Sequence, residues 1–115
     1  MLPKKHRLHH ASDIQCLLRH GRRIKVGDFF LFLKTNDSNA EIRCTVIVGK
    51  KFSARAAARN AQKRILREVL RDVINLYLDG SPFDAMIMCT KKGKVLSYKD
   101  AKSSFLPVFK SNIKG

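Results

Sequence analysis

The sequence predicts an α+β fold, a two-layer sandwich of helices on a small mixed sheet. Three observations carry that prediction. Residues 55–78 hold a proline-free helical period, whereas Phe29–Thr35, Ile42–Val48 and Phe83–Thr90 are rich in β-branched, aromatic and other apolar residues, as strands are. The helix falls between the second and third of these runs, so they are joined by a crossover rather than a hairpin and are expected to be parallel. At 115 residues, with no internal repeat and no composition break, the chain reads as one domain, 1–115, large enough for a modest core.

Met1–Ala11 is a polar, basic arm without period. Ser12 is placed to open the first helix, and Gln15 three residues on completes a capping box. Ile14, Leu17 and Leu18 form the apolar edge of that helix, and Gly21 ends it. Arg22–Val26 reads either as a short strand or as an extended lead-in. In FFLFLKT, Phe30 and Phe32 point to one face while Phe29, Leu31 and Leu33 point to the other. Asn36–Ala40 is a turn cluster, which would make Ile42–Val48 the antiparallel neighbour of the preceding strand. In that second run Cys44, Val46 and Val48 share a face, with Arg43, Thr45 and Ile47 opposite. The long helix ends near Leu78, where Asp79, Gly80, Ser81 and Pro82 give a stop signal. Lys91, Lys92, Gly93 and Lys94 form a basic turn after the last strand. Ser97 caps a final helix carrying Tyr98, Ala101, Phe105 and Phe109. Pro107 is expected to kink or shorten it, leaving 110–115 as a frayed tail.

Charge narrows the function. The chain carries 24 Lys and Arg against 9 Asp and Glu, a formal +15, which calls for a polyanion or an anionic membrane surface. The longest apolar run is Phe29–Leu33, too short to span a bilayer, and MLPKKHRL lacks the apolar core of a secretory signal. Cys16, Cys44 and Cys89 are far apart and set among apolar neighbours, as free thiols in a reducing cytoplasm are. His6, His9, His10 and His20 have no cysteine or carboxylate at ligand spacing, so they predict a basic, RNA-facing or exposed arm and no metal site. The acids are scattered, and neither a carboxylate dyad nor a Ser/His/Asp or Cys/His arrangement is visible, so no catalytic residue is predicted.

The residues that bear on function lie in KKFSARAAARNAQKRILREVLR, Lys50–Arg71. Lys50, Lys51, Arg55, Arg59, Lys63, Arg64, Arg67 and Arg71 are basic, and Glu68 is the only acid. At about 100° per residue, Ala58, Gln62, Ile65, Leu66, Val69, Val73 and Leu76 fall on one side of a helix. Arg59, Asn60, Lys63, Arg64, Arg67 and Arg71 fall on the other. Arg59, Lys63, Arg67 and Arg71 are successive i,i+4 neighbours of like charge, which destabilise a helix unless an anion relieves them. A plain solvated face would mix signs. Guanidinium forks bind phosphate oxygens bidentately, and a lysine adds a mobile point charge. Asn60 can bond a 2′-hydroxyl, a base edge or the helix's own first turn. Glu68 lies four residues from Arg64, a spacing at which the two can pair. Lys50, Lys51 and Arg55 extend the positive surface or simply solvate the turn into the helix.

The pattern R-N-x-x-K-R-x-x-R-E, here Arg59, Asn60, Lys63, Arg64, Arg67 and Glu68, resembles the signature of the bacterial ribonuclease P protein subunit. The resemblance extends to CTVIVGKK before it and to LPKKHRLHHASDIQCLLRHGRR at the N-terminal end, and so covers nearly the whole chain. It departs at Ala61, where the family usually has a third basic residue, and at Ile14 and Leu18, where the family is typically aromatic. The resemblance implies three helices and four strands in the order αβββαβα, with a left-handed crossover through the basic helix; general connection rules alone would give a right-handed one. It implies an accessory subunit of an endoribonuclease that removes the 5′ leader of precursor tRNA, with the chemistry done on a catalytic RNA by Mg²⁺ bound mainly to that RNA. It also implies a leader cleft between the first helix, the Phe30/Phe32 strand face and the basic helix, formed by Ile14, Leu18, Phe30, Phe32, Lys63 and Arg67. The alternative is a ribosomal-type structural RNA-binding protein with no processing role. A DNA-binding module is disfavoured, since no helix-turn-helix pair is visible.

Overall fold

The computed structural model describes residues 2–36 and 41–113. Its elements are α1 (Ala11–His20), β1 (Arg22–Val26), β2 (Phe29–Thr35), β3 (Arg43–Val48), α2 (Ala56–Leu76), β4 (Phe83–Cys89) and α3 (Tyr98–Asn112). The strands form one sheet in the order β1-β2-β4-β3. β1 and β2 are an antiparallel hairpin turned at Gly27, whose φ of 60° suits a residue without a Cβ. β4 runs antiparallel to β2 and parallel to β3.

The predicted β2–β3 pairing is therefore not made. β4 is inserted between them, and the parallel β3–α2–β4 crossover is made as expected. The reason is burial. β4 is the most apolar of the strands and is covered on both faces, which suits a central position with ladder partners on either side. Most of the Asn36–Ala40 turn cluster lies outside the described residues; Asn36 itself is buried.

α2 and α3 pack together on one face of the sheet and form the main core with Leu31, Val46, Ile87 and their neighbours. This pair and the sheet make the sandwich; α1 adds a partial cover on the opposite face, where Leu8 and Leu17 bury Phe32 and Met86. The buried arc of α2 is wider than predicted: Leu70 and Ile74 join it, because α2 meets both β3 and α3. Leu76, assigned above to the core side, is 58% exposed at the helix end. Gln62 is fully buried and its Oε1 accepts from Leu96 N at 2.8 Å, fastening the segment before α3 to α2. The Tyr98 hydroxyl donates to Asp72, and Lys102 Nζ lies 3.4 Å from the same carboxylate, so the start of α3 is tied to α2 as well.

Three further expectations change, and a fourth holds for a different physical reason. The N-terminal arm is docked, not loose. Leu2, His6 and Leu8 are buried, Leu8 N donates to the Cys44 carbonyl at 2.9 Å, and His6 Nδ1 donates to the Ile42 carbonyl at 2.6 Å. The arm thereby covers the open edge of β3. Because the arm fixes where the chain leaves that edge, α1 starts at Ala11 with His10 as its N-cap, and the Ser12–Gln15 capping box is not formed. Gly21 does end α1, but in extended backbone rather than the left-handed region. Glycine is needed there for space, since a Cβ would stand 2.4 Å from the Leu17 carbonyl oxygen. Finally, α3 runs through Pro107 to Asn112. Phe105 and Phe109 bury its inner side, and Asn112 Oδ1 accepts from Arg22 Nη1 at 2.7 Å, so residues 110–112 are helical rather than frayed. Ser97 caps α3 as predicted, its Oγ accepting from Asp100 N at 3.2 Å.

The three cysteines are free thiols. Burial pushes the Cys44 thiol far above its ordinary range, and burial also raises Cys89, whose Sγ donates to the Lys91 carbonyl at 3.5 Å. Both behave as small apolar core residues.

Candidate nucleic-acid interface

The cationic side of α2 is presented as its period requires. Asn60, Arg64, Arg67 and Arg71 are exposed, and Arg59 and Lys63 are half-buried. Arg59 is partly committed to the fold. Its Nη1 donates to the Ser53 and Ala54 carbonyls at 2.9 and 3.0 Å, so Arg59 rather than Asn60 braces the turn into the helix. Arg71 Nη2 pairs with Glu68 Oε2 at 2.8 Å. Lys63 and Arg67 make no hydrogen bond or ion pair among the described residues. Asn60, Arg64, Arg67 and Glu68 line one depression on the helix surface. Arg67 also borders a recess of about 240 Å³ beside the docked arm, with Arg7, His9 and Thr45. That recess joins the basic helix to the β3 edge. Lys50, Lys51 and Arg55 are exposed where β3 leads into α2. Lys91, Lys92 and Lys94 lie in the neighbouring loop, because parallel β3 and β4 end together and Gly93 N donates to the Phe52 carbonyl at 3.3 Å.

The second part of the surface is the sheet face that α1 only half covers. Strand register arranges its side chains in rows across the four strands. Arg23, Phe32, Met86 and Thr45 form one row; Lys25, Phe30, Met88 and Ile47 form the next. α1 lies over Phe32 and Met86. The next row is left open, with Phe30, Met88 and Ile47 partly buried and Ile14 and Leu18 of α1 packed in the same cluster. Arg23 stacks over Phe30, its Cζ 5.2 Å from the ring centroid. Lys25 is exposed at the β1 end of the open row.

Ile14, Leu18, Phe30 and Phe32 are thus brought together, as the cleft expectation requires. Phe32 differs from that expectation. It is 6% exposed and lies beneath Leu17, so it is packing, and Phe30 is the aromatic that the open row presents. Arg67 reaches the same side of the molecule through the β3 edge, whereas Lys63 lies one turn earlier on α2. Arg23, Lys25, Ile47 and Met88 were missed from sequence. Their alternation was visible, but only the β1-β2-β4-β3 order sets them beside Phe30.

Fold and surface first define a class: a small α+β domain with a cationic helix beside a half-open apolar sheet face, a form suited to a polyanion that also offers flat bases. The model of the family described as Ribonuclease P matches residues 2–112, and the chain belongs to that family. Among curated relatives, the ribonuclease P protein component of Bordetella parapertussis is 37% identical over 75 residues, 61% of this chain and 60% of its own length. The chain therefore spans less than two thirds of that relative. The ribonuclease P protein component of Bacillus velezensis is 27% identical over 109 residues, 95% of this chain and 90% of its own. Solved structures share the fold. The Staphylococcus aureus RNase P protein has a TM-score of 0.78 at 21% identity, covering 92% of this chain and 94% of its own. The Thermotoga maritima RNase P protein has a TM-score of 0.75 at 23% identity, covering 95% and 98%.

Proposed function

We propose that this chain is the protein subunit of ribonuclease P, an endoribonuclease ribonucleoprotein that removes the 5′ leader from precursor tRNA in the cytoplasm. The observation that carries the reading is the open Lys25–Phe30–Met88–Ile47 row beside the cationic helix, in a chain of this family. The cationic helix and its flanks, Lys50, Lys51, Arg55, Asn60, Arg64, Arg67 and Arg71, hold phosphates of the catalytic RNA. The open row and the α1 edge, with Lys63 and Arg67, hold the leader, whose bases stack or pack on Phe30 and its neighbours. Mg²⁺ is held mainly by the RNA. The test is reconstitution with a bacterial ribonuclease P RNA and cleavage of precursor tRNA at low Mg²⁺. Cleavage that depends on the protein supports the reading. A protein that binds both RNAs yet leaves cleavage unchanged is a structural RNA-binding protein instead.

Two further results are expected. Binding to the catalytic RNA weakens with salt: for about 5 neutralised phosphates, log K falls against log salt with a slope of roughly −3.5 to −4.5. A filter-binding titration over salt checks this, and a slope near zero removes phosphate contact as the main term. Glu68→Gln leaves the single-turnover cleavage rate unchanged at saturating protein, because Glu68 serves as the partner of Arg71 on the helix surface. A loss of ~10³-fold or more would instead place it in the chemistry.

A further inference from the structure

α1 is the wall of the open face, and three contacts along its length hold it there. At its C-terminal end, Gly21 allows the close approach to Leu17 and the Leu33 carbonyl. In its middle, Leu17 is buried on Phe32 and Met86. At its N-terminal turn, Asp13 Oδ2 accepts from Arg43 Nη1 at 3.0 Å. Arg43 is itself held by Asp84, with Nε to Oδ1 at 3.0 Å and Nη2 to Oδ2 at 2.9 Å, and Asn36 Nδ2 donates to the same Oδ1 at 3.0 Å. The chain Asp13–Arg43–Asp84 thus ties α1 to β3 and β4. Arg43 and Asp84 are 16% and 10% exposed, whereas Asp13 is 34% exposed. The outer link can therefore be cut without opening the inner one.

Ile14, the next residue along, is partly buried against the same Leu17, Phe32 and Met86 cluster that Phe30, Ile47 and Met88 flank. We infer that Asp13 is a positioning residue: its bond to Arg43 sets the distance between α1 and the open Phe30–Met88–Ile47 row, and so the width of the groove that takes the single-stranded leader. The inference rests on the leader reading above. An acid beside a groove for RNA is otherwise unfavourable, because it repels phosphate. That conflict gives the test its sign. If Asp13 acts only as a charge, Asp13→Asn strengthens leader binding. If it positions α1, Asp13→Asn weakens it.

The experiment uses the complex reconstituted with a bacterial ribonuclease P RNA. It compares affinities for precursor tRNA and leaderless mature tRNA in the wild type, Asp13→Asn, Asp13→Glu and Phe30→Ala. Hydrogen exchange of the α1 amides is measured on the free proteins. Asp13→Asn is expected to lower the preference for precursor over mature tRNA by roughly 3- to 10-fold, the range of a pair within one coupled network. Mature tRNA affinity stays unchanged, and α1 amide exchange rises by roughly 10-fold as local opening becomes easier. Asp13→Glu, which keeps the carboxylate, recovers part of both effects. An unchanged or increased leader preference in Asp13→Asn, with Phe30→Ala impaired, overturns the inference and leaves the leader reading standing. If Phe30→Ala also binds both tRNA forms as the wild type does, the leader reading fails and the inference falls with it. Unchanged exchange in α1 overturns the positioning role whatever the tRNA affinities do.

Discussion

Phe32→Ala lowers folding stability by about 3–5 kcal/mol, the cost of emptying a buried aromatic site. Phe30→Ala, one pleat step away on the same face, leaves the fold nearly intact and weakens precursor tRNA binding by about 1–3 kcal/mol, the value of one base–aromatic contact. The two phenylalanines share a strand and a side of the sheet, so chemistry and alternation treat them alike. They part because Leu17 and Leu8 close over Phe32 and Met86, while the Phe30 row stays only partly buried, with the Arg23 guanidinium over the Phe30 ring. With total stabilities of ~5–15 kcal/mol, the Phe32 loss alone can unfold much of the population at physiological temperature. Any binding defect of that variant should therefore follow its unfolded fraction. Denaturant melts paired with affinities for precursor and mature tRNA check both halves. A folded, stable Phe32→Ala that loses only the leader-bearing form would return Phe32 to the cleft. A Phe30→Ala that binds both forms as the wild type does would remove Phe30 from it.

Asp84→Ala is the second large loss, about 3–5 kcal/mol, because it leaves a mostly buried guanidinium without its main partner. Asp84 takes two hydrogen bonds from Arg43 and one from Asn36. The bonds to Asp84 hold the Arg43 pKa above its ordinary value against the opposing effect of burial. A guanidinium is protonated with or without a partner, so Arg43 stays charged when Asp84 is removed. Replacing both members by apolar residues, Arg43→Met with Asp84→Leu, costs less than Asp84→Ala alone, since no buried charge remains. Denaturant melts of Arg43→Met, Asp84→Leu and the double close the cycle. Additive losses would show that the pair is not coupled and that Arg43 is solvated when Asp84 is absent.

Much of this protein was determined by local sequence. The helical period of α2, the alternation in β2 and β3 and the Ser97 cap all follow from residues near one another in the chain, and the helix between β3 and β4 marks that pair as parallel. The cationic face of α2 was legible for the same reason: i,i+4 spacing alone puts those side chains together. The tertiary structure decided what depends on partners far apart in sequence. It placed β4 between β2 and β3, laid the N-terminal arm along β3, and thereby moved the start of α1. It chose Phe30 over Phe32 as the presented ring and set Arg23, Lys25, Ile47 and Met88 beside it. It also joined Asp13, Arg43 and Asp84, three residues that sequence shows only as scattered charges. The physical reason is that periodicity tells which side chains share a face, but burial of that face depends on which element lands on it. Strand order and helix docking are settled by the competition of whole apolar surfaces for cover, and no local pattern records the outcome.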